Sequence, residues 1–110
     1  MKILAIEKET PGAALTEYQP HLRDEAAHVY QLYQAGVIRE TYFHQQHHTA
    51  VLLLECADAA AAQLVLDTFP LVRAGLITFE VLPLVPYTGL ARLFEQTDEA
   101  ALPGKALRHE

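Results

Sequence analysis

The chain has 110 residues, 51% of them hydrophobic and 20% charged, so disorder is excluded and the length allows one domain. Eight Lys and Arg against 14 Asp and Glu leave a net charge of -6, which would repel a phosphate backbone, so no nucleic acid partner is expected. A domain of this size hides only roughly two thirds of the surface of its unfolded chain, and so apolar a composition points to further burial against a second copy. Cys56 is the single cysteine, which permits neither an intrachain disulfide nor a Cys-based zinc cage and fits a reducing, cytoplasmic setting. The stretch from Met1 to Thr10 lacks an apolar signal core, and no segment approaches the ~20 apolar residues of a membrane span. An unprocessed chain with no membrane contact is expected.

Residues 2–9, KILAIEKE, alternate and stop at Pro11-Gly12, which predicts a first strand. From Pro20 the apolar positions Leu22, Ala26, Val29, Tyr30 and Tyr33 recur at helical spacing, and Gly36 stands where a left-handed cap belongs. Pro20 at a first helical position needs no N–H partner, so Thr16 to Gln19 read as a lead-in turn to the longest helix. Residues 37–44, VIRETYFH, and 50–56, AVLLLEC, predict a hairpin joined through Gln45 to Thr49. Asp58 is a suitable N-cap for a second helix with the stripe Ala61, Ala62, Val65, Leu66 and Phe69, closed by Pro70. Residues 76–82, LITFEVL, predict a fourth strand ended by Pro83 and Pro86.

The order βαββαβ, folded with right-handed crossovers, gives an α+β, ferredoxin-like domain with a four-stranded antiparallel sheet and both helices on one face. The third strand is apolar on both sides, and exposing either row would cost about 1.5 to 3 kcal/mol per large side chain, so a second sheet is expected to cover the helix-free face. Residues 1–95 read as one domain. Within it 87–95, with Leu90, Leu93 and Phe94, form a segment that packs on a neighbour or over the domain's own edge. Residues 96–110 read as a mobile polar tail.

Three stretches carry a family likeness. They are Gln34-Ala35-Gly36 followed by Arg39, then Glu55-Cys56-Ala57-Asp58, then Leu66 to Leu71 running through Ala74-Gly75-Leu76 into Phe79-Glu80-Val81. With them, residues 1–86 resemble the muconolactone isomerase family and, more distantly, YCII-related proteins, all dimeric α/β-barrel folds. The resemblance implies two sheets meeting face to face in a homodimer or larger homo-oligomer. It also implies a cofactor-free reaction that moves a double bond in a small lactone of aromatic-ring breakdown by shifting a proton. The same fold carries other activities, so the reaction is the weaker implication. Pro20-His21-Leu22 is similar to the Ala-His-Leu setting of a YCII helix histidine, although the aspartate that accompanies it there has no clear match here.

A proton shift needs a base near a carbon acid and a donor for the developing oxyanion. With Leu4, Ile6, Leu52, Leu54, Ile77, Phe79 and Val81 toward the helices, strand parity puts Glu7, Arg39, Thr41, Glu55, Thr78 and Glu80 on the opposite face. A pocket bounded by Glu7, His21, Arg39 and Glu80 is therefore expected between the helix-free face and the start of the long helix. Glu7, His21 and Glu80 are the candidate catalytic residues, and Arg39, Tyr18 and Tyr42 the candidate substrate-binding ones. Salt bridging at strand ends is the ordinary alternative for each carboxylate, and a single bulge reverses the parity. His21, Glu25 and His28 stack on one helix face, where solvated side chains outweigh a metal arm. His44, His47 and His48 lie around the hairpin without a ligand spacing, and Cys56 reads as a buried inert thiol, so no metal is expected. No phosphate loop, nucleophile elbow or dinucleotide fingerprint is present, so no cofactor is expected.

Two functions remain open. One is an isomerase or lyase that shifts a proton on a small lactone or organic acid. The other is a non-catalytic small-ligand-binding or assembly protein whose barrel is plugged by side chains. An apolar cavity with converging polar groups would separate them.

Overall fold

A computed structural model of the chain describes residues 1–95; the expected tail at 96–110 lies outside the described residues. The strands are β1 (Lys2–Glu9), β2 (Ile38–Phe43), β3 (Ala50–Glu55) and β4 (Ile77–Pro83). They form one antiparallel sheet in the order β2-β3-β1-β4, the ferredoxin-like arrangement. The two innermost strands, β1 and β3, are the ones whose sequences are apolar on both faces.

Helices cover one face. The lead-in expected at Thr16 to Gln19 is itself helical: α1 (Leu15–Tyr18) tightens into a 3-10 turn at Gln19–His21, and α2 (Leu22–Gln34) follows. Glu17 supports this start, its carboxylate accepting the Ala14 N–H at 2.9 Å. Gly36, at φ +80, ends α2 in the left-handed region that only glycine enters without strain. Asp58 caps α3 (Ala59–Leu66) by accepting the Ala61 N–H at 2.8 Å. Pro70 does more than close that helix: α3 ends at Leu66, and Pro70 occupies the first position of a separate α4 (Pro70–Arg73), where its missing N–H is no loss. Phe69 therefore lies in the connection, yet it is only 1% exposed.

The core unites Ile3, Ala5, Ile38, Leu52 and Leu54 of the sheet with Ala62 and Leu66 of α3 and with Phe69. This assigns the faces. Ile3 pairs with Leu54 and Ala5 with Leu52, so the odd residues of β1 face the helices and Leu4 and Ile6 do not. Parity could not decide this, because β1 is apolar on both sides. In β2 the register shifts between Ile38 and Glu40, a bulge at Arg39 that puts both Ile38 and Thr41 on the helix side.

The helix-free face carries Leu4, Ile6, Val51, Leu53 and Leu82, all half-buried, with Lys2, Lys8, Glu55 and Glu80 around them. Beyond β4 a 3-10 turn spans Gly89–Leu93, and Leu90, Leu93 and Phe94 are 61% to 85% exposed, so this segment does not cover the domain's own edge.

Candidate active site

The longest helix buries the least. α2 contributes no fully buried side chain, whereas the shorter α3 contributes Ala62 and Leu66. The gap between α2 and the sheet is a cavity of about 800 Å³. Tyr18, Leu22, Glu25, Ala26 and Val29 form its helical wall as one stripe. The sheet supplies Glu7, Glu9, Thr41, Phe43, Leu52 and Phe79, and Phe69 and Leu71 close one end. His48 joins from the β2–β3 turn, in a left-handed backbone conformation at φ 55 that is uncommon for a non-glycine residue.

Two carboxylates define the chemistry. Glu7 Oε1 accepts the Ala50 N–H at 2.7 Å and Glu25 Oε1 accepts the Leu71 N–H at 3.0 Å. Each thereby keeps Oε2 without a protein partner among the described residues. Burial pushes the Glu7 carboxyl above its ordinary range, against the pull of the Ala50 amide, and Glu9 adds to the rise. Glu25 is likewise raised by burial, with its Leu71 hydrogen bond opposing, the charge of Glu7 reinforcing and His21 opposing. The Tyr18 hydroxyl donates to the Leu76 carbonyl at 3.0 Å, so inside the cavity the phenol oxygen acts as an acceptor. Burial and the nearby Glu9, Glu7 and Glu17 push that phenol's pKa upward.

The structure does not bring Glu7, His21, Arg39 and Glu80 together. Glu7 and Tyr18 line the cavity, which lies on the helix-covered face and not on the opposite one. His21 sits one turn before Glu25, close enough for its charge to act on that carboxyl, but it is not in the cavity wall. Arg39 and Tyr42 line a second, outer cleft of about 460 Å³ that meets the cavity only at Val29 and Thr41. There Arg39 Nε donates to the Gly36 carbonyl at 2.6 Å, and the Tyr42 hydroxyl donates to Glu40 Oε1 at 2.6 Å. Glu80 registers with Ile6 on the helix-free face, with Lys8 Nζ 3.5 Å away. Since β2 and β4 are the two edges of the sheet, Arg39 and Glu80 stand three strand spacings apart, about 14 Å.

Sequence reasoning missed Glu25, Phe43 and His48 as cavity residues. A signal existed for Glu25, a lone acid inside the apolar stripe of Leu22, Ala26 and Val29. None existed for His48, whose place depends on the turn conformation. The remaining histidines of that turn serve it locally: His44 Nδ1 accepts the Gln46 and His47 N–H groups, and the His44 and His47 rings stack. Burial pushes the Cys56 thiol up, which keeps it protonated. Among the described residues, no group of three His, Cys, Asp or Glu could hold a metal ion, and no helix is long and apolar enough to cross a membrane.

The sheet order and the single helical layer define a ferredoxin-like α+β unit. Among solved structures, muconolactone isomerase matches this fold with a TM-score of 0.67, over 80% of this chain and 92% of its own, at 17% identity. A second match is 5-chloro-2-hydroxyhydroquinone dehydrochlorinase from Burkholderia phenoliruptrix AC1100, in complex with 2,5-dihydroxybenzoquinone. Its TM-score is 0.60, over 81% of this chain and 98% of its own, at 18% identity. At these identities the likeness establishes the fold. No family model and no curated protein sequence matches the chain.

Proposed function

We propose that the chain is a cofactor-free proton-transfer enzyme, an isomerase or lyase acting on a small oxygenated ring compound, with Glu7 and Glu25 as its acid–base pair. The observation that carries this reading is the pair itself. Two half-buried carboxylates line one largely apolar cavity, each fixed through one oxygen by a backbone amide and free at the other. Burial raises both, toward the range in which a carboxyl can take up and release protons near neutral pH. In the reaction the ionised carboxylate takes a proton from a ring carbon, and the electron pair moves through the conjugated system. The protonated partner then delivers a proton to the site where charge develops. The two carboxyls end with exchanged protonation states, which re-equilibrate before the next cycle. The two fold neighbours, named for a lactone isomerase and a dehydrochlorinase of a hydroxylated ring, lend this class their support. The non-catalytic alternative, a barrel plugged between the helix-free faces, is separated from this reading by whether the cavity beneath α2 supports turnover.

In the same reading the working form is a homodimer or higher homo-oligomer joined through the helix-free face. Leu4, Ile6, Val51, Leu53 and Leu82 are only half-buried there. The enzyme reading is tested by incubating the protein in deuterated water with a panel of small lactones and hydroxylated rings and following deuterium uptake at carbon by NMR. Uptake that Glu7→Gln and Glu25→Gln each reduce by about 10²-fold or more is expected. A panel that exchanges no faster with protein than without it overturns the proposal.

A further inference from the structure

The charge balance of the cavity carries a second step, which rests on the reading of this cavity as the substrate site. We infer that the substrate is an uncharged ring bearing at least two hydroxyl groups, and that the cavity rejects carboxylates. Among the described residues no Lys or Arg lines the space, while Glu7, Glu9 and Glu25 all do. Arg39, the carboxylate partner expected from the sequence, belongs to the outer cleft beyond Val29 and Thr41 and is turned onto the Gly36 carbonyl. A bound carboxylate would therefore meet three acids, with His48 at the β2–β3 turn as the one described lining residue able to offer a positive charge, in surroundings where Leu52, Phe69 and Phe79 keep the local polarity low.

The hydrogen-bonding character points the same way. Glu7 Oε2, Glu25 Oε2 and the Tyr18 oxygen are left for a ligand, because one oxygen of each carboxyl takes a backbone N–H and the Tyr18 hydrogen is given to Leu76. The ionised carboxylate and the Tyr18 oxygen need donors while the protonated carboxyl needs an acceptor, and a hydroxyl group serves as either. Glu7 stands on the sheet wall and Glu25 on the helix wall, so a flat ring with hydroxyls at two positions reaches both at once, with Phe43, Phe69 and Phe79 available to its apolar surface. A single ammonium group satisfies only one wall.

The test is a binding comparison by calorimetry on the full-length protein at pH 7.5 under argon. Its probes are hydroquinone, 4-hydroxybenzoate and benzylamine, which share a ring and differ in charge. Hydroquinone is expected to bind at least about tenfold tighter than 4-hydroxybenzoate. Glu25→Gln and, independently, Glu7→Gln should each narrow that ratio severalfold, in protein whose circular dichroism is unchanged. Equal or tighter binding of 4-hydroxybenzoate, tightest binding of the amine, or no saturation by hydroquinone up to ~10 mM each overturns the inference. The two proposals fail separately. Neutral-ring selectivity without deuterium uptake overturns only the enzyme reading, and uptake on a carboxylate-bearing lactone overturns only this one.

Discussion

Glu7 on β1 and Glu25 on α2 face one cavity from opposite walls, and neither is anchored by its own element. Glu7 is held by Ala50 of β3 and Glu25 by Leu71 of α4, at 2.7 Å and 3.0 Å. Four elements thus fix two carboxylates, and the folded chain bears the cost of burying them. That cost has a pH signature. Both carboxyls are raised above the ordinary 4.5, so the folded state holds protons that the unfolded state has released. Stability from this source is fully present below 4.5 and declines as pH rises through the folded-state values. Glu25→Gln keeps an acceptor for the Leu71 amide and removes the buried charge. We expect it to raise Tm by about 2–5 °C at pH 7.5, with the gain vanishing below pH 4.5. Thermal melts at both pH values check this, and a destabilised variant at pH 7.5 contradicts it.

Phe69 joins the core to the cavity. It is 1% exposed and stands edge-on to His28, with centroids 5.1 Å apart, and to Phe79 at 5.4 Å. His28 is in turn held by the Thr68 hydroxyl, 2.7 Å from His28 Nε2, and that hydroxyl is itself tied to the Val65 carbonyl. Phe69→Ala should cost about 3–5 kcal/mol through lost burial and an unfilled void, read as a lower urea midpoint. Phe69→Leu should cost less than half of that.

The architecture was legible because every boundary had a local cause. Pro11-Gly12, Gly36 and Asp58 each mark a boundary that backbone chemistry dictates, and the four strands and two main helices of the βαββαβ order followed, while Pro70 opened a further short helix. The site was not legible to the same depth. Assigning Glu7 to a face required knowing which side of β1 meets the helices, and Ile3 with Ala5 is no more apolar than Leu4 with Ile6. The bulge at Arg39 then altered the parity of β2 at a residue that no propensity singles out. Parity survived in β3 and β4, where Leu52, Leu54, Ile77 and Phe79 face the helices as expected.

The apolar row on the helix-free face supplies a test of assembly. Leu53 registers with Leu4 at the centre of that row. Leu53→Asp would place a charge in the proposed interface without touching the core beneath α3. Light scattering at micromolar concentration is expected to give a dimer or larger species for the natural chain and the 12.2 kDa monomer for the variant. A natural chain that scatters as a monomer contradicts the proposed assembly.

Glu55 titrates in the opposite sense from the cavity acids. Its carboxylate binds the Lys2 ammonium at 2.8 Å and the terminal ammonium of Met1 at 2.6 Å, and these partners, Lys2 first, hold its pKa down to about 2. A depressed carboxyl contributes stability that is present above its unfolded value of 4.5 and is lost as pH falls toward 2. The three side chains are in contact with water, so the contribution is small and is screened by salt. Glu55→Gln should therefore flatten the loss of stability between pH 4.5 and 2 while changing Tm at pH 7.5 by no more than about 2 °C. Adding 0.5 M sodium chloride to the natural chain should reproduce part of that flattening. Together with Glu7 and Glu25, which lose stability above pH 4.5, this predicts a stability maximum near the ordinary carboxylate pKa. Melting curves taken at half-unit intervals from pH 2 to 8 would show it, and a maximum at or above pH 7 would contradict the opposed directions assigned to these three acids.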